Sequence, residues 1–478
     1  MVAFSAFDLV GSLPEILLLG LASLVLVVDV FLPPKARAVT YLLSLIGLLC
    51  VAVALISLPS HPVIAYSGLF VVDGVAIFLK LAALMSTAAV MVYSKDYLAA
   101  RGLLKGEYFV LMLFALLGIF VMSSARHLLT MYMGIELLAL SQYALVAFDR
   151  DSGVAAESAM KYFVLGAIAS GLMLYGISIL YGVSATLDLH QLALLLKAPG
   201  QAPIGVLFGL AFLVAGIAFK LGLVPFHMWV PDVYQGAPTS VSIFLGSAPK
   251  FAYFALAFRV LAEGLAPVSA AWQQLLVVLC VLSLVFANIV AVAQTNLKRL
   301  LAYSTISNIG FMILGIIAAT PLGYASALFY ISSYVLLSLG AFAMILLLSR
   351  PGFEADRIDD FKGLAQKSPW FAWMMLFLMV STAGVPPFIG FFAKLYVIQA
   401  ILTEGMTALA ILAVVTSVIG AFYYLRIIKV MFFDEPMDQA PIQANASVKL
   451  LLSLNALASL GVGIFNTPLW NTIVECFH

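Results

Sequence analysis

Long apolar runs, each about the length that crosses a bilayer, follow one another along this chain with short polar stretches between them. They fall at about 11–32, 38–57, 70–93, 107–124, 127–148, 157–182, 203–236, 238–262, 268–292, 297–320, 321–349, 369–402, 405–433 and 446–469. A membrane-crossing helix needs about 20 apolar residues. The pattern therefore predicts an all-α polytopic membrane protein with about fourteen transmembrane helices and no room for a soluble domain. No ten-residue alternation of apolar and polar positions occurs, which excludes a β-barrel. The first run lacks a basic segment ahead of it, is too long for a cleaved leader, and contains Glu15 and Asp29; it reads as a span.

Composition agrees and narrows the chemistry. Of 478 residues 64% are hydrophobic and 9% charged, against about 25% charged in an average soluble domain. A net charge of +1 gives no footprint for nucleic acid, so the main partner is the lipid bilayer. Cys50, Cys280 and Cys476 are far apart and the five histidines are scattered, so no metal site is expected. There is no GxGxxG and no P-loop, and nothing to hold a haem, an iron–sulfur cluster, a flavin or a nucleotide. Loops after odd-numbered runs carry Lys35, Arg37, Lys95, Arg101, Lys105, Arg150, Lys298, Arg299, Arg350, Arg357, Lys362 and Lys367; loops after even-numbered runs carry only Arg126, Lys197 and Arg259. That bias places the odd loops in the cytoplasm and both termini outside.

Few charges fall inside the runs. Glu136 is central in the fifth, Lys220 lies in the seventh, Lys250 is central in the eighth and Lys394 lies in the twelfth. Lys161 stands near the start of the sixth, and Asp73 and Lys80 lie in the third. A charge at the bilayer centre costs at least about 2.5–3.5 kcal/mol. A lysine near a helix end avoids that cost by extending to the interface, which for Lys80 and Lys161 is as good a reading as a functional one. Lys298 fits the ordinary excess of basic residues on the cytoplasmic side. Glu136, Lys220 and Lys250 are too deep for that, because a lysine reaches about 6 Å and the interface lies about 15 Å from the midplane. Burial disfavours the charged form of an ionisable group, and a close opposite charge restores it. Making and breaking a buried pair is therefore a way to take up and release a proton.

Runs seven and twelve are each too long for one straight crossing, and each is interrupted by proline: Pro225 in the first, Pro386 and Pro387 in the second. Proline removes a backbone donor and breaks a helix. Freed backbone at membrane depth persists only where it lines a polar cavity or is buried in protein. His227, just after the first break, could satisfy such groups or relay protons. The breaks lie 161 residues apart, and runs six (from Ala159) and eleven (from Ala327) share Ala, Tyr and Ser at an offset of 168. These offsets predict two inverted five-helix repeats, the mark of a transporter with midplane sites. The expected organisation is a three-helix segment 1–106, a first repeat 107–263, a second repeat 264–433 and a last helix in 434–478.

At these residues the chain resembles the antiporter-like membrane subunits of respiratory complex I. The segments that carry the resemblance are Lys220-Leu-Gly-Leu-Val-Pro-Phe-His227-Met-Trp-Val-Pro-Asp232-Val-Tyr-Gln-Gly-Ala-Pro238, Asn296-Leu-Lys298-Arg-Leu-Leu-Ala-Tyr303-Ser-Thr-Ile-Ser and Gly384-Val-Pro-Pro-Phe-Ile-Gly-Phe-Phe-Ala-Lys394. It extends over all fourteen runs, and the Val-Tyr-Gln-Gly-Ala-Pro continuation after Asp232 sets the chain apart from the sister subunits L and M. The resemblance implies that Glu136 and Lys220 are the ion pair of a first half-channel, with Lys161 modulating Lys220. Lys250 would be the central link and Lys394 the terminal proton site of the second half-channel. His227, Lys298 and Tyr424 would be accessory. One departure is Asn308, where many members carry His; Asn cannot titrate, which puts a histidine relay through run ten in doubt.

The resemblance also implies a bacterial inner membrane with both termini periplasmic. An antiporter-like neighbour would lie on one side, and the small subunits nearer the quinone site on the other. NADH, FMN, iron–sulfur clusters and quinone would belong to partner subunits, with no cofactor in this chain. A subunit of a multisubunit sodium/proton antiporter is the alternative, as is the equivalent subunit of a membrane-bound hydrogenase or ferredoxin-driven relative.

Overall fold

The computed structural model describes residues 6–33, 36–59, 61–197, 203–437, 442 and 445–477; Lys35, counted above among the loop cations, lies outside them. The N-terminal segment comprises α1 (Ala6–Gly11), α2 (Leu13–Phe31), α3 (Ala38–Ile56), a hairpin of β1 (Val63–Ala65) and β2 (Phe70–Val72), and α4 (Gly74–Ala100). Next come α5 (Gly106–Ser123), α6 (Leu128–Val146), α7 (Gly153–Ser184), the short α8 (Leu189–Leu196), α9 (Ile204–Leu221), α10 (Trp229–Gly236), α11 (Thr239–Leu245) and α12 (Pro249–Ala257). A π-helical turn, Phe258–Gly264, ends this group. The remainder is α13 (Ser269–Val292), α14 (Leu297–Ile317), α15 (Pro321–Leu348), the four-residue α16 (Leu364–Lys367), α17 (Pro369–Ala383), α18 (Ile389–Thr403), α19 (Thr407–Phe433), α20 (Ala446–Ile464) and α21 (Thr467–Glu475).

Among the described residues thirteen segments are long and apolar enough to cross a membrane, and α17 with α18 supply a fourteenth as two shorter apolar helices. Runs seven and twelve are indeed broken, into α9/α10 and α17/α18. Run eight is not the single helix that its apolar pattern predicts. It is interrupted at Gly246–Ala248, and Pro249 opens α12 at its first turn, a position where a missing N–H costs nothing. The hairpin is also absent from the sequence reading. It is only three residues per strand, with Val63 opposite Val72 and Ala65 opposite Phe70.

The two five-helix groups are built alike. α5 lies against α6 as α13 lies against α14. The starts of α7 and α15, Gly153 and Pro321, are 168 residues apart, which is the offset of the shared Ala, Tyr and Ser. The α5/α6 contact is close enough to need glycine: a Cβ on Gly118 would stand 2.8 Å from the Gly134 carbonyl oxygen and 2.7 Å from the Leu138 nitrogen. Small residues let helices approach where lipid gives no hydrophobic drive to pack.

Loops gather on two opposite faces. On one, Arg101 meets Glu354 and Asp96 meets Asn445. On the other, Phe70 bridges Ala125, His127 bridges Asp188, and Asp73 meets Arg259. Some charges are not where the sequence reading puts them. Arg259 is no loop cation: it is 1% exposed and bonded to Asp73 (2.7 Å), Glu263 (2.6 Å) and the Ser123 carbonyl. Asp73 caps α4 through the Ala76 amide. Burial opposes its charge, yet the Arg259 guanidinium and that amide hold its carboxyl below the ordinary value. Lys80 does not extend to an interface either. It is fully buried, 2.5 Å from Glu15 of α2 and 4.8 Å from the centre of the Phe70 ring.

Candidate functional site

The two breaks are the same structure twice. α9 ends on Gly222 (φ 78°) and α17 on Gly384 (φ 90°), a backbone conformation that glycine adopts without strain. In the first, the Gly222 N–H donates to the Phe219 carbonyl and Leu223 N–H to that of Ala218; in the second, Gly384 donates to Ser381 and Val385 to Val380. These are paired Schellman-type closures. A cis X-Pro bond follows three residues after each glycine, at Pro225 and Pro387. The structural offset is thus 162 residues, one more than the 161 between Pro225 and Pro386. Backbone groups freed by the first break find side chains: Ser283 Oγ accepts from the Val224 N–H at 2.9 Å, and Trp229 Nε1–H donates to the Phe219 carbonyl at 2.9 Å.

Each break holds a lysine ammonium at the carbonyl end of its first half-helix. Lys220 lies in the last turn of α9. Lys394 lies in α18 but reaches back, donating to the Thr382 carbonyl (3.1 Å), the Ala383 carbonyl (3.0 Å) and Ser417 Oγ (2.9 Å). The negative end of a helix dipole favours a cation, which suits the Lys394 ammonium on the Thr382 and Ala383 carbonyls and a lysine in the last turn of α9.

Lys220 is nearly enclosed (4% exposed). Its Nζ donates to Ser170 Oγ at 3.3 Å, and Ser170 Oγ donates to Glu136 Oε1 at 2.5 Å. Ammonium and carboxylate are therefore not in direct contact; a hydroxyl of α7 stands between them. Ser170 is a residue the sequence reading missed. Serine is common in spans, and only the packing of α6, α7 and α9 makes this one a link. Lys161, also on α7, sits nine residues earlier, about 14 Å along the helix axis. It is nearly half exposed and pairs with Glu157 (2.8 Å) and Asp232 (3.0 Å) rather than with Lys220. Asp232 in turn binds Arg299 at 2.8 Å.

Lys250 is fully buried, and its Nζ has no hydrogen-bond partner. It lies 5.9 Å from the Tyr234 ring centre and 5.7 Å from that of Tyr253, and such ring faces attract a cation. The Tyr253 hydroxyl donates to Gln142 Oε1 at 3.0 Å, and Tyr162 donates to the same oxygen at 2.8 Å. Gln142, on α6 with Glu136, thus connects the central lysine to the first pair's helix. It too escaped sequence reading, because an amide adds no charge to an apolar run.

The accessory residues divide. Lys298 is buried, not a surface cation, and donates to the Ala237 carbonyl at 2.7 Å. His227 is 9% exposed, its ring edge-on to Phe286 at 5.0 Å, and Nδ1 has no partner. Tyr424 shares a 2.5 Å hydrogen bond with Ser304 Oγ. Asn308 organises this cluster: its amide donates to the Ser304 carbonyl (2.8 Å) and Ser304 Oγ (3.1 Å), and its Oδ1 accepts from the Tyr330 hydroxyl (2.7 Å). An asparagine so committed fixes hydroxyls in place without titrating. Thr305 and Tyr334 hydroxyls add a 2.6 Å bond. Asn308, Tyr330, Tyr334, Thr382 and Lys394 line a cavity of about 10 Å3, about the room one water needs.

No group of His, Cys, Asp and Glu among the described residues has metal-holding geometry. Two bonded groups thus stand beside the two breaks, Lys220–Ser170–Glu136 at the first and Lys394 with Thr382, Ala383 and Ser417 at the second, and Lys250 meets ring faces alone.

NADH-quinone oxidoreductase subunit N of Thiobacillus denitrificans is 53% identical over 472 residues, covering 98% of each chain. A chain in the structure of respiratory complex I from Thermus thermophilus with bound aureothin is 31% identical, with a TM-score of 0.82 over 96% of this chain and 98% of that one. A chain of the membrane-bound sulfane sulfur reductase, an archaeal respiratory membrane complex, is 27% identical with a TM-score of 0.86 over 98% and 97%. The profile described as "NADH:quinone oxidoreductase/Mrp antiporter, TM" matches residues 125–420, a stretch that holds Glu136, Lys220, Lys250, Lys394 and both breaks. On that match and the full-length relatives, the chain belongs to the NADH:quinone oxidoreductase/Mrp antiporter family of membrane subunits.

Proposed function

We propose that the chain works as subunit N of a proton-translocating NADH:quinone oxidoreductase, moving protons across the membrane while other subunits reduce quinone. The observation that carries this reading is the Lys220–Ser170–Glu136 chain. Lys220 Nζ and Glu136 Oε1 are no more than about 6 Å apart through that hydroxyl. At an effective dielectric of about 20, two unit charges at that distance attract by about 3 kcal/mol. Carrying one charge against 100 mV costs about 2.3 kcal/mol. Making and breaking this one interaction is thus on the scale of the work a respiratory membrane requires. Ser170 can pass a proton because it accepts from the ammonium and donates to the carboxylate. Lys250 receives the change through Gln142 and Tyr253, and Lys394 through the Asn308 and Tyr334 hydroxyl cluster.

The row's ends differ from its middle. Glu136 and Lys394 are half-buried, whereas Lys220 and Lys250 are enclosed. This supports a neighbour at each end: an antiporter-like subunit on one side and the small subunits nearer the quinone site on the other. FMN, iron–sulfur clusters, NADH and quinone are assigned to partner subunits, and the chain to the bacterial inner membrane with both termini periplasmic. Proton pumping by the assembled complex tests the function. Lys220→Met or Glu136→Gln is expected to lower pumping by at least about tenfold, since 1.4 kcal/mol already corresponds to that factor. Unchanged pumping in both variants would sink the assignment. The hydrophilic subunits that co-purify with the chain distinguish this function from a sodium/proton antiporter.

A further inference from the structure

A proton bound for a buried lysine must first be taken up by a group that water reaches and that is bonded to the interior. On the face of the odd-numbered loops, Glu354 meets both conditions. Its side chain is 27% exposed. Its carboxylate accepts from the Tyr97 hydroxyl, 3.1 Å from each oxygen, and from the Thr239 hydroxyl, and both of those residues are buried. Arg101 Nη2 pairs with Oε2 at 2.5 Å. Asp359 of the same loop differs: it is 64% exposed and meets Lys362 at 2.9 Å.

The backbone carries Glu354 over a buried lysine. Its loop is laced to the start of α14. The Leu297 N–H donates to the Asp356 carbonyl (2.6 Å), the Ile358 N–H to that of Thr295 (3.0 Å), and the Asn296 side-chain amide to the Asp356 carboxylate (2.7 Å). Lys298 lies in that first turn, buried, with its ammonium on the Ala237 carbonyl at 2.7 Å. Ala237 and Thr239 are two residues apart, at most about 7 Å along the chain. Glu354 and Lys298 thus hold the turn Ala237–Pro238–Thr239 from its two ends. The charged and titratable groups around the carboxylate are Arg101 and Tyr97 of α4, Lys298 of α14 and Asp356 of its own loop.

Inward of Lys298, small cavities continue along α14. Leu301, one turn on, lines one of about 10 Å3 with Ser304, Tyr334, Ser338 and Thr382. The Ser338 hydroxyl is buried without a hydrogen-bond partner. Tyr334 and Thr382 also line the cavity that Lys394 lines. Each cavity has about the room one water needs, and each hydroxyl can both accept and donate.

We propose that Glu354 is the residue through which protons enter this chain from the odd-loop face, and that Lys298 takes them on toward Lys394. The proposal rests on the reading of the chain as a proton-moving subunit. Every step is an exchange of one proton. Glu354 takes it from water and becomes neutral. It then gives the proton inward to a Lys298 amine that has already passed its own to the Tyr334 side.

The test uses the assembled complex in vesicles, driven by quinone and by NADH added outside, with the outside pH varied and the inside buffered. Pumping by each variant is compared with wild type at each pH. Glu354→Gln keeps an acceptor for Tyr97 and Thr239 but cannot take up a proton. Uptake then depends on free protons alone. The ratio of variant to wild-type pumping is therefore expected to fall as the outside pH rises, by up to about tenfold per unit, the change in proton concentration. A lost structural contact lowers pumping by the same factor at every pH. Asp359→Asn removes a carboxylate of the same loop and should follow wild type throughout. A Glu354→Gln ratio that stays constant with pH overturns the proposal, as does an equal fall in Asp359→Asn. Lys220→Met separates this inference from the function beneath it. Unchanged pumping in that variant removes both, whereas lowered pumping there with a constant Glu354→Gln ratio removes the inlet alone.

Discussion

Ser170 stands between Lys220 and Glu136, and its place separates what a sequence exposes from what it hides. A lysine or glutamate inside an apolar run stands out because of its insertion cost. Glu136, Lys220, Lys250 and Lys394 were legible for that reason. Ser170, Gln142 and the Glu15 partner of Lys80 were not, because each gains its meaning from a helix distant in sequence. Ser170→Ala removes the hydroxyl between Lys220 and Glu136 but leaves both charges. Proton pumping should fall about tenfold, the worth of a charged hydrogen bond, while Ser170→Thr keeps most of it; equal pumping by Ala and Thr would contradict a relay. Lys80→Met has a different expected outcome. It leaves Glu15 buried without its cation and should cost about 3–5 kcal/mol, seen as a lower unfolding temperature of the purified subunit. Pairing it with Glu15→Gln should recover much of that loss.

Helix breaks were half legible. Proline marks a break wherever it falls mid-run, so Pro225 and Pro386–Pro387 were readable. The residues that shape the breaks are Gly222 and Gly384, and a glycine in a membrane span carries no comparable signal. Pro249 could have revealed the interruption before Lys250, but a run of ordinary span length gives no reason to look for one. A Cβ on Gly384 would stand 2.9 Å from Lys394 Cδ, and φ there is 90°. Gly384→Ala therefore strains the backbone by about 1–2 kcal/mol and pushes the ammonium off the Thr382 and Ala383 carbonyls. Pumping and thermal stability are both expected to fall. Gly405 also has a positive φ, but a Cβ there meets nothing within 4 Å. Gly405→Ala is the control, since it should affect stability alone.

At the scale of the whole molecule, run counting recovered the architecture, but nothing in the runs foretold which loops clasp one another. Glu354 is one clasp on its face. It accepts from Arg101 and Tyr97 at the end of α4 and from the Thr239 hydroxyl at the start of α11. It thus joins the N-terminal segment, the first repeat and a loop of the second. Glu354→Ala releases all three at once and leaves the Arg101 guanidinium without its carboxylate. Amide hydrogen exchange over 97–105 and 239–245 should quicken, and no change there would mean that the clasp is dispensable.

The helices also differ in what surrounds them. α2, α3 and α20 are each about one-third buried, whereas the α11–α12 segment and α14 are wholly enclosed by protein. Lys250 and Lys298 sit on those enclosed helices. Their surroundings are therefore supplied by the polypeptide and not by the bilayer. A cell that alters its lipid chain length or headgroup charge with temperature would change the setting of the outer helices and leave the electrostatics of the enclosed pair as the fold set it.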